Sequence, residues 1–299
     1  MMPAFGYRRP GSLRQVFDLL SAHGEDAWLL AGGTDLAVGL RKGTVAPGVV
    51  IDLKWVAELR PGITLAGGRI RIAATTVLAD IAAHPLVREH FPALVEAVEC
   101  VGSIQIRHRA TLTGNICNAS PAADTAPALL VHQAEVVLAG AAGTRRLPVA
   151  DFLLGPRRTA LRPGELAAAI ELPLPPRPSG AAFARLTRRR GVDLATVSVC
   201  CGVGPARVTR FGYGAVAPVP FLVSDTSGAL ADPGSDPARR EEILAGLVSR
   251  ASPISDLRGG RDYRQAMLTV LSRRALHAAI SRRGKTAQRA ARAARGEGA

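Results

Sequence analysis

The sequence predicts an α+β fold in two domains. Segments with helical and strand periodicity are mixed along the chain without strict alternation, which argues against a doubly wound parallel sheet. The 299 residues are 47% apolar in short blocks, enough to bury a substantial core. Four prolines between residues 171 and 180 indicate a linker, so we place the domain boundary near residue 176.

The N-terminal domain opens with a β-α-β-like pattern. Residues 12–23 place apolar side chains on one helical face, with Ser12 as N-cap and Gly24 as stop signal. Residues 27–33 are typical of a buried strand that ends in a glycine turn, and residues 48–54 of another strand. Further along, the sequence predicts a hairpin, three helices and a strand, in the order 63–76, 76–87, 91–101, 125–133 and 134–140.

Beyond the linker the pattern changes to a strand meander followed by two helices. Alternating runs occupy residues 181–216, and helical patterns cover 240–251 and 261–280. We therefore expect an N-terminal domain over 1–175, with subdomains of about 1–55 and 56–175, and a C-terminal domain over 176–299 that ends in a basic tail of about 282–299.

The net charge of +14 raises the alternative of a nucleic-acid-binding protein. Between Arg273 and Ala299 the sequence holds seven arginines, one lysine and one glutamate, so about half of the excess lies in this tail. Aromatic residues, which would stack on bases, make up only 4%. We interpret the tail as a solvated basic segment, and the nucleic-acid alternative is weak.

Other composition features exclude further classes. The four cysteines lack metal-site spacing, and no histidine set accompanies them. No apolar run approaches the 18 residues of a membrane span, and the opening residues lack the apolar stretch of a signal peptide. We therefore expect a cytoplasmic protein without a membrane span and without a bound metal.

The first candidate site is the stretch LLAGGTDL, residues 29–36. Gly32 and Gly33 would let backbone N–H groups approach an anion, and Thr34 adds a hydroxyl donor. Asp35 and Leu36 start a short helix, whose N-terminus also favours a phosphate. The structural alternative is an ordinary strand-to-helix turn with Asp35 as its cap.

The second candidate site lies within ATLTGNICNASPAADTAPALL, residues 110–130. It holds many small hydrogen-bonding residues just before a helix, namely Thr111, Thr113, Gly114, Asn115, Asn118, Ser120 and Asp124. Asp124 could instead be the N-cap of that helix, and Asn115 a turn-forming amide. Together, two polar glycine-bearing loops at helix starts would suit the two faces of an extended diphosphate.

Both stretches resemble the flavin-binding signatures of a known family, the FAD-binding medium subunits of the molybdenum hydroxylases. This family includes xanthine dehydrogenase, aerobic carbon monoxide dehydrogenase and 4-hydroxybenzoyl-CoA reductase. The similarity continues in order through residues 152–166, 183–199, 211–220 and 255–276, and so covers nearly the whole chain.

The resemblance implies a fold and a site. The fold would be the vanillyl-alcohol-oxidase (PCMH) type, with two N-terminal subdomains that hold an extended FAD and a smaller sheet-plus-helix C-terminal domain. The diphosphate would lie along residues 29–36 and 111–115, and Asp124 would contact the adenosine part. The implied cofactor-binding residues are Leu29, Leu30, Ala31, Gly32, Gly33, Thr34, Asp35, Leu36, Thr111, Leu112, Thr113, Gly114, Asn115, Asp124 and Arg185. On this interpretation the FAD diphosphate is the reason that Gly32 and Gly33 lack side chains.

Two residues depart from the family pattern. The second loop usually reads T-(I/L)-G-G-N, and here Thr113 stands where the first of these glycines is expected. Its β-carbon could shift the loop, or its hydroxyl could add a donor. A lysine common in the family's F-x-K segment is replaced by Arg185, which keeps the charge but changes the geometry.

The resemblance also implies a role without catalytic side chains, because the isoalloxazine carries the redox chemistry. A molybdopterin-binding large subunit would hydroxylate the substrate, and a 2Fe-2S small subunit would pass electrons to FAD on this chain. The acceptor would be NAD, oxygen or a quinone. The alternative within the same fold is a stand-alone FAD-dependent oxidase.

Overall fold

The first of three structural units is a small parallel sheet with helices. The computed structural model describes residues 3–294, with side chains over 3–288. Strands β1, β2 and β3 are parallel in the order β1-β3-β2. In chain order the elements of this unit are β1 (Gly6–Arg8), α1 (Leu13–His23), β2 (Ala27–Leu30), α2 (Leu36–Lys42) and β3 (Val49–Asp52).

Helix α1 has the ends that the sequence predicts. The Ser12 side chain accepts a hydrogen bond from the Gln15 backbone N–H, and Gly24 terminates the helix at φ 52°. Its apolar face, with Val16 fully buried, packs on Val49 and Ile51 of β3. One face of the small sheet is therefore covered by α1.

The second unit is a five-stranded antiparallel sheet with helices packed on one face. Its strand order is β4-β5-β10-β6-β7. In chain order the elements are β4 (Ile63–Ala66), β5 (Arg69–Ala73), α3 (Leu78–Ala83), α4 (Pro85–His90), α5 (Pro92–Glu99), α6 (Ile104–Arg107), α7 (Leu112–Cys117), α8 (Thr125–Val131), β6 (Glu135–Gly140), β7 (Gly143–Pro148), α9 (Val149–Phe152), β8 (Leu153–Gly155), β9 (Arg158–Thr159) and β10 (Leu166–Pro173).

The third unit is a four-stranded antiparallel meander with two helices. Its elements are β11 (Gly180–Leu186), β12 (Val197–Val203), β13 (Thr209–Gly214), β14 (Phe221–Asp225), α10 (Pro237–Val248) and α11 (Arg261–Ala294). Consecutive residues of a strand point to opposite faces. Cys200 accordingly joins the core of the second unit, and Cys201 packs in the core under α11. The meander is thus packed between α8 on one side and α11 on the other.

The basic tail expected over 282–299 begins inside α11 and is not free there. Arg282 pairs with Glu96 of α5 and donates to the Ala181 carbonyl at 2.6 Å. Arg283 donates to the carbonyls of Gly204 and Pro205 at 2.9 and 2.8 Å. Residues 295–299 of the expected tail lie outside the described residues. Over the described residues, none of the helices is at once long enough and apolar enough to span a membrane.

Candidate cofactor-binding site

The first loop joins β2 to α2 and packs directly on the second unit. A β-carbon built on Gly32 would lie 2.2 Å from the Arg109 carbonyl oxygen and 2.9 Å from the Ala110 Cα. Gly33 has φ +77°, and a β-carbon there would lie 2.7 Å from the Leu30 Cδ1. The protein itself therefore requires glycine at both positions, at Gly32 because of the Arg109 carbonyl and at Gly33 because of its positive φ. This reason differs from the expectation that a diphosphate excludes side chains there.

A cavity of about 410 Å³ opens beside this loop. Its floor is the face of the small sheet opposite α1, and α2 forms one wall. Most lining residues are apolar, and the polar contribution comes from Tyr7, Thr34, Arg109 and the backbone of the loop. The apolar part of the lining consists of Phe5, Leu30, Leu36, Ala37, Leu40 and Val50.

The second signature contains a helix where the sequence suggested only a loop. Helix α7 is capped by Thr111, whose Oγ1 accepts a hydrogen bond from the Gly114 N–H at 3.0 Å. The Asn115 Oδ1 accepts a second bond, from the Thr125 hydroxyl of α8, at 2.6 Å. Threonine, glycine and asparagine have low helix propensity. Local sequence patterns therefore do not predict this six-residue helix, and its stability depends on the Thr111 cap and on the hydrogen bond from α8.

Thr113, which replaces the usual family glycine, is accommodated within α7. Its side chain is buried at 5% exposure, so its β-carbon fits the helix. The Thr113 Oγ1, however, is buried without a hydrogen-bond partner among the described residues. A buried hydroxyl without a partner is costly, so this atom is available to a ligand or a water molecule.

Asp124 and Arg185 form an ion pair between the second and third units. Asp124 occupies the N-cap position of α8, but its backbone is helical and its side chain makes no capping bond. Its Oδ2 instead accepts a hydrogen bond from the Arg185 Nη1 at 2.7 Å. The other oxygen, Oδ1, is buried without a partner among the described residues. Burial raises the pKa of Asp124 to about 6, and the attraction of Arg185 only partly opposes this.

The predicted residues therefore form a connected line across the three units. Gly32 contacts the backbone just before Thr111, and Asn115 binds Thr125, the neighbour of Asp124. Asp124 in turn pairs with Arg185 on β11. These contacts join both signatures and Arg185 into one connected set of residues.

A hydrogen-bond network around Asp52, which the sequence patterns did not predict, supports the first loop. Asp52, at the end of β3, accepts hydrogen bonds from the Tyr7 hydroxyl and from the Lys54 Nζ, the latter at 2.6 Å. The same Nζ lies 3.4 Å from the Ala31 carbonyl oxygen. Burial alone would raise the pKa of Asp52, but the hydrogen bonds from Lys54 and Tyr7 outweigh it and lower that pKa. No sequence pattern links these residues, because sheet register alone brings them together.

A further cation, Arg157, lies near Asp35 of the first loop. Asp35 keeps an exposed side chain, yet the groups around its carboxylate desolvate it and raise its pKa, and the charge of Arg157 acts in the opposite direction. Arg157 sits at the tip between β8 and β9 with φ 58°, and its backbone N–H donates to the Ala119 carbonyl at 3.0 Å. Asp35 occupies the N-cap position of α2, as the structural alternative expects, but its side chain makes no capping hydrogen bond.

Comparison with known proteins decides the family. Residues 3–175 match the model of the FAD binding domain in molybdopterin dehydrogenase, and residues 181–279 match that of the CO dehydrogenase flavoprotein C-terminal domain. The chain belongs to this family of FAD-binding medium subunits. Its cofactor is FAD, and it is an oxidoreductase subunit.

Individual members of the family resemble this subunit over almost their full length. The carbon monoxide dehydrogenase medium chain of Hydrogenophaga pseudoflava is 31% identical, over 94% of this chain and 98% of that protein. The xanthine dehydrogenase FAD-binding subunit of Escherichia coli O157:H7 is 28% identical, over 93% and 97%. A solved structure of the Hydrogenophaga enzyme, which lacks the Mo-pyranopterin moiety of its molybdenum cofactor, superposes with a TM-score of 0.87 at 31% identity, over 94% of this chain and 99% of that one.

The residues present fit FAD. The first loop offers backbone N–H groups beside an open cleft with apolar walls, which suits a diphosphate joined to flat ring systems. Two buried oxygen atoms, the Thr113 Oγ1 and the Asp124 Oδ1, lack partners among the described residues. Both lie on the line of predicted residues, where polar groups of the cofactor would supply the missing partners.

Proposed function

We propose that this subunit transfers electrons within a molybdenum hydroxylase complex, from the 2Fe-2S clusters of a partner subunit through FAD to an acceptor such as NAD, oxygen or a quinone. The observation that carries the proposal is the connected line of residues from Gly32 to Arg185, which crosses all three units. A molybdopterin-binding large subunit and a 2Fe-2S small subunit are the partners that this role requires.

For the cofactor, we assign the diphosphate to the two segments 29–36 and 111–115. The first segment is held by Lys54 and Asp52 and by its contact with Arg109. The second is held by the Thr111 cap and by the Asn115–Thr125 hydrogen bond. Because these contacts exist within the protein, both segments are shaped before the cofactor arrives, and less ordering entropy is lost on binding.

When bound, FAD supplies the redox chemistry, since its isoalloxazine takes up electrons and releases them to the acceptor. The chain contributes position and electrostatics. Arg185 places a half-buried positive charge beside Asp124, and the ion pair links β11 to the start of α8. That Asp124 contacts the adenosine part, as the resemblance implies, stays a prediction.

The fold supports the same assignment. The three-stranded parallel sheet and the five-stranded antiparallel sheet agree with two subdomains of the vanillyl-alcohol-oxidase type, and we propose that type for residues 1–175. Strand β10 ends at Pro173 and β11 begins at Gly180, which supports a boundary near residue 176. The C-terminal domain then comprises the meander with α10 and α11.

The experiment that tests the function is purification of the tagged full-length chain from its native host. We expect a flavin absorbance spectrum, together with copurified molybdenum, iron and acid-labile sulfide. Reoxidation of the substrate-reduced complex by NAD, oxygen and a quinone then identifies the acceptor. A yellow protein that oxidises a substrate alone, without molybdenum or iron, would instead support the stand-alone oxidase.

A further inference from the structure

The diphosphate of FAD carries negative charge, and the first loop brings little to balance it. Residues 29–36 contain no lysine or arginine, and Asp35 adds a negative charge. Backbone N–H groups supply partial charges only, so a cation from another part of the chain would strengthen the binding of the diphosphate.

Arg109 is the cation that the structure places in the wall of the cleft. Lys54 also reaches the loop, at the Ala31 carbonyl, but its charge is paired with Asp52 at 2.6 Å. Of the described residues that line the 410 Å³ cleft, Arg109 alone carries a charge, and it shares the wall with Gly32, Gly33 and Thr34. Its backbone is fixed from two sides, because its carbonyl packs on Gly32 and its N–H donates to the Ile106 carbonyl at 3.0 Å. The side chain is therefore delivered to the cleft by a rigid backbone.

The neighbouring arginine shows that this placement is specific. The Arg107 guanidinium donates to the carbonyls of Val101 and Gly102 at 3.1 and 3.4 Å, so it is committed to the structure of its own turn. Among the described residues, no carboxylate or carbonyl pairs with the Arg109 guanidinium. It is exposed at the cleft and available to an anion.

We propose that Arg109 binds the FAD diphosphate and supplies the positive charge that the first glycine loop lacks. The inference rests on the assignment of residues 29–36 to the diphosphate. A guanidinium is suited to this role, because its planar fork can donate two parallel hydrogen bonds to a phosphate. The apolar walls of the cleft strengthen the interaction relative to one in open water. Arg157, near Asp35, adds to the positive potential around the loop.

The test compares ligands that differ in their phosphates. Dissociation constants of FAD, ADP and riboflavin are measured on the full-length apoprotein for the wild type, R109Q, R109K and R250Q. Arg250 is an exposed arginine just beyond α10 and serves as the matched control. We expect R109Q to weaken FAD and ADP by about tenfold or more, the range of a hydrogen bond to a charged group, and to leave riboflavin unchanged. R109K should recover part of the loss, and R250Q should behave as the wild type.

Salt gives an independent readout. Raising NaCl from 50 to 500 mM should weaken FAD binding to the wild type more than to R109Q, because the screened charge is missing from the variant. Wild-type ADP affinity in R109Q, or an equal loss of riboflavin and ADP, would overturn the proposal. If Gly33→Val loses FAD while R109Q keeps it, the inference about Arg109 fails alone. If both variants keep wild-type affinity, the loop assignment itself fails.

Discussion

Replacing Gly32 by alanine tests the contact on which the proposed cofactor site depends. The new β-carbon would lie 2.2 Å from the Arg109 carbonyl oxygen, whereas carbon–oxygen contacts in proteins settle at about 3.3 Å or more. The first loop and the Arg109–Ala110 backbone must then separate by roughly 1 Å. Neither side is a flexible side-chain end, so the two segments move as units.

Both stability and binding should report this separation. Overpacking at such a contact costs about 1–3 kcal/mol of unfolding free energy. Because the loop and the second signature would no longer face each other at the correct distance, we expect FAD affinity to fall by at least about tenfold, which corresponds to 1.4 kcal/mol. The assays are urea unfolding of the apoprotein and titration of FAD by its fluorescence quenching.

Gly246→Ala is the matched control. Gly246 lies within α10, and a β-carbon there meets nothing within 4 Å. The substitution should stabilise the helix by about 0.5–1 kcal/mol and leave FAD affinity unchanged. A Gly32→Ala variant with wild-type stability and wild-type FAD affinity would refute the close approach of the two segments.

Three further predictions concern single side chains of the site. Gly33→Val should abolish FAD retention while the apoprotein still folds, since a β-branched residue at φ +77° strains the loop by about 1–2 kcal/mol or more. Flavin content measures the loss of FAD, and circular dichroism measures folding. Thr113→Val removes the hydroxyl that has no partner among the described residues, so it should raise the unfolding free energy of the apoprotein by about 1 kcal/mol and weaken FAD binding severalfold. Thr113→Ser keeps the hydroxyl and should keep wild-type FAD affinity. Equal FAD affinity in the valine and serine variants would rule out a role for the hydroxyl. Burial raises the pKa of Asp124 to about 6 in the folded protein, above its value in the unfolded chain, so the folded state holds the proton more tightly. The unfolding free energy of the apoprotein should therefore fall as the pH rises from about 4 to 6, by up to about 3 kcal/mol. Asp124→Asn should lose this pH dependence in urea unfolding. If the unfolding free energy of the variant changed with pH as it does in the wild type, Asp124 would not be the group responsible.

The sequence alone was sufficient for the elements with strong local signals. Helix α1, the hairpin around Gly67–Gly68 and the meander beyond the linker were predicted from periodicity, caps and turn residues, and the structure confirms them. The two signatures and the cofactor also followed from the sequence, because the family's motifs stand in order along the chain. Relatives and family models confirm the family and FAD.

Tertiary structure decided what distant residues do to one another. Helix α7 exists because of its cap and the bond from Thr125, and Asp124 pairs with Arg185 rather than capping α8. The bareness of Gly32 follows from a carbonyl 77 positions away in the chain, at Arg109. Local propensity carries no information about such contacts, since they arise only when separate units pack together. The sequence therefore determined the family and its cofactor, because ordered motifs are readable along the chain, and packing decided how the candidate site residues contact one another.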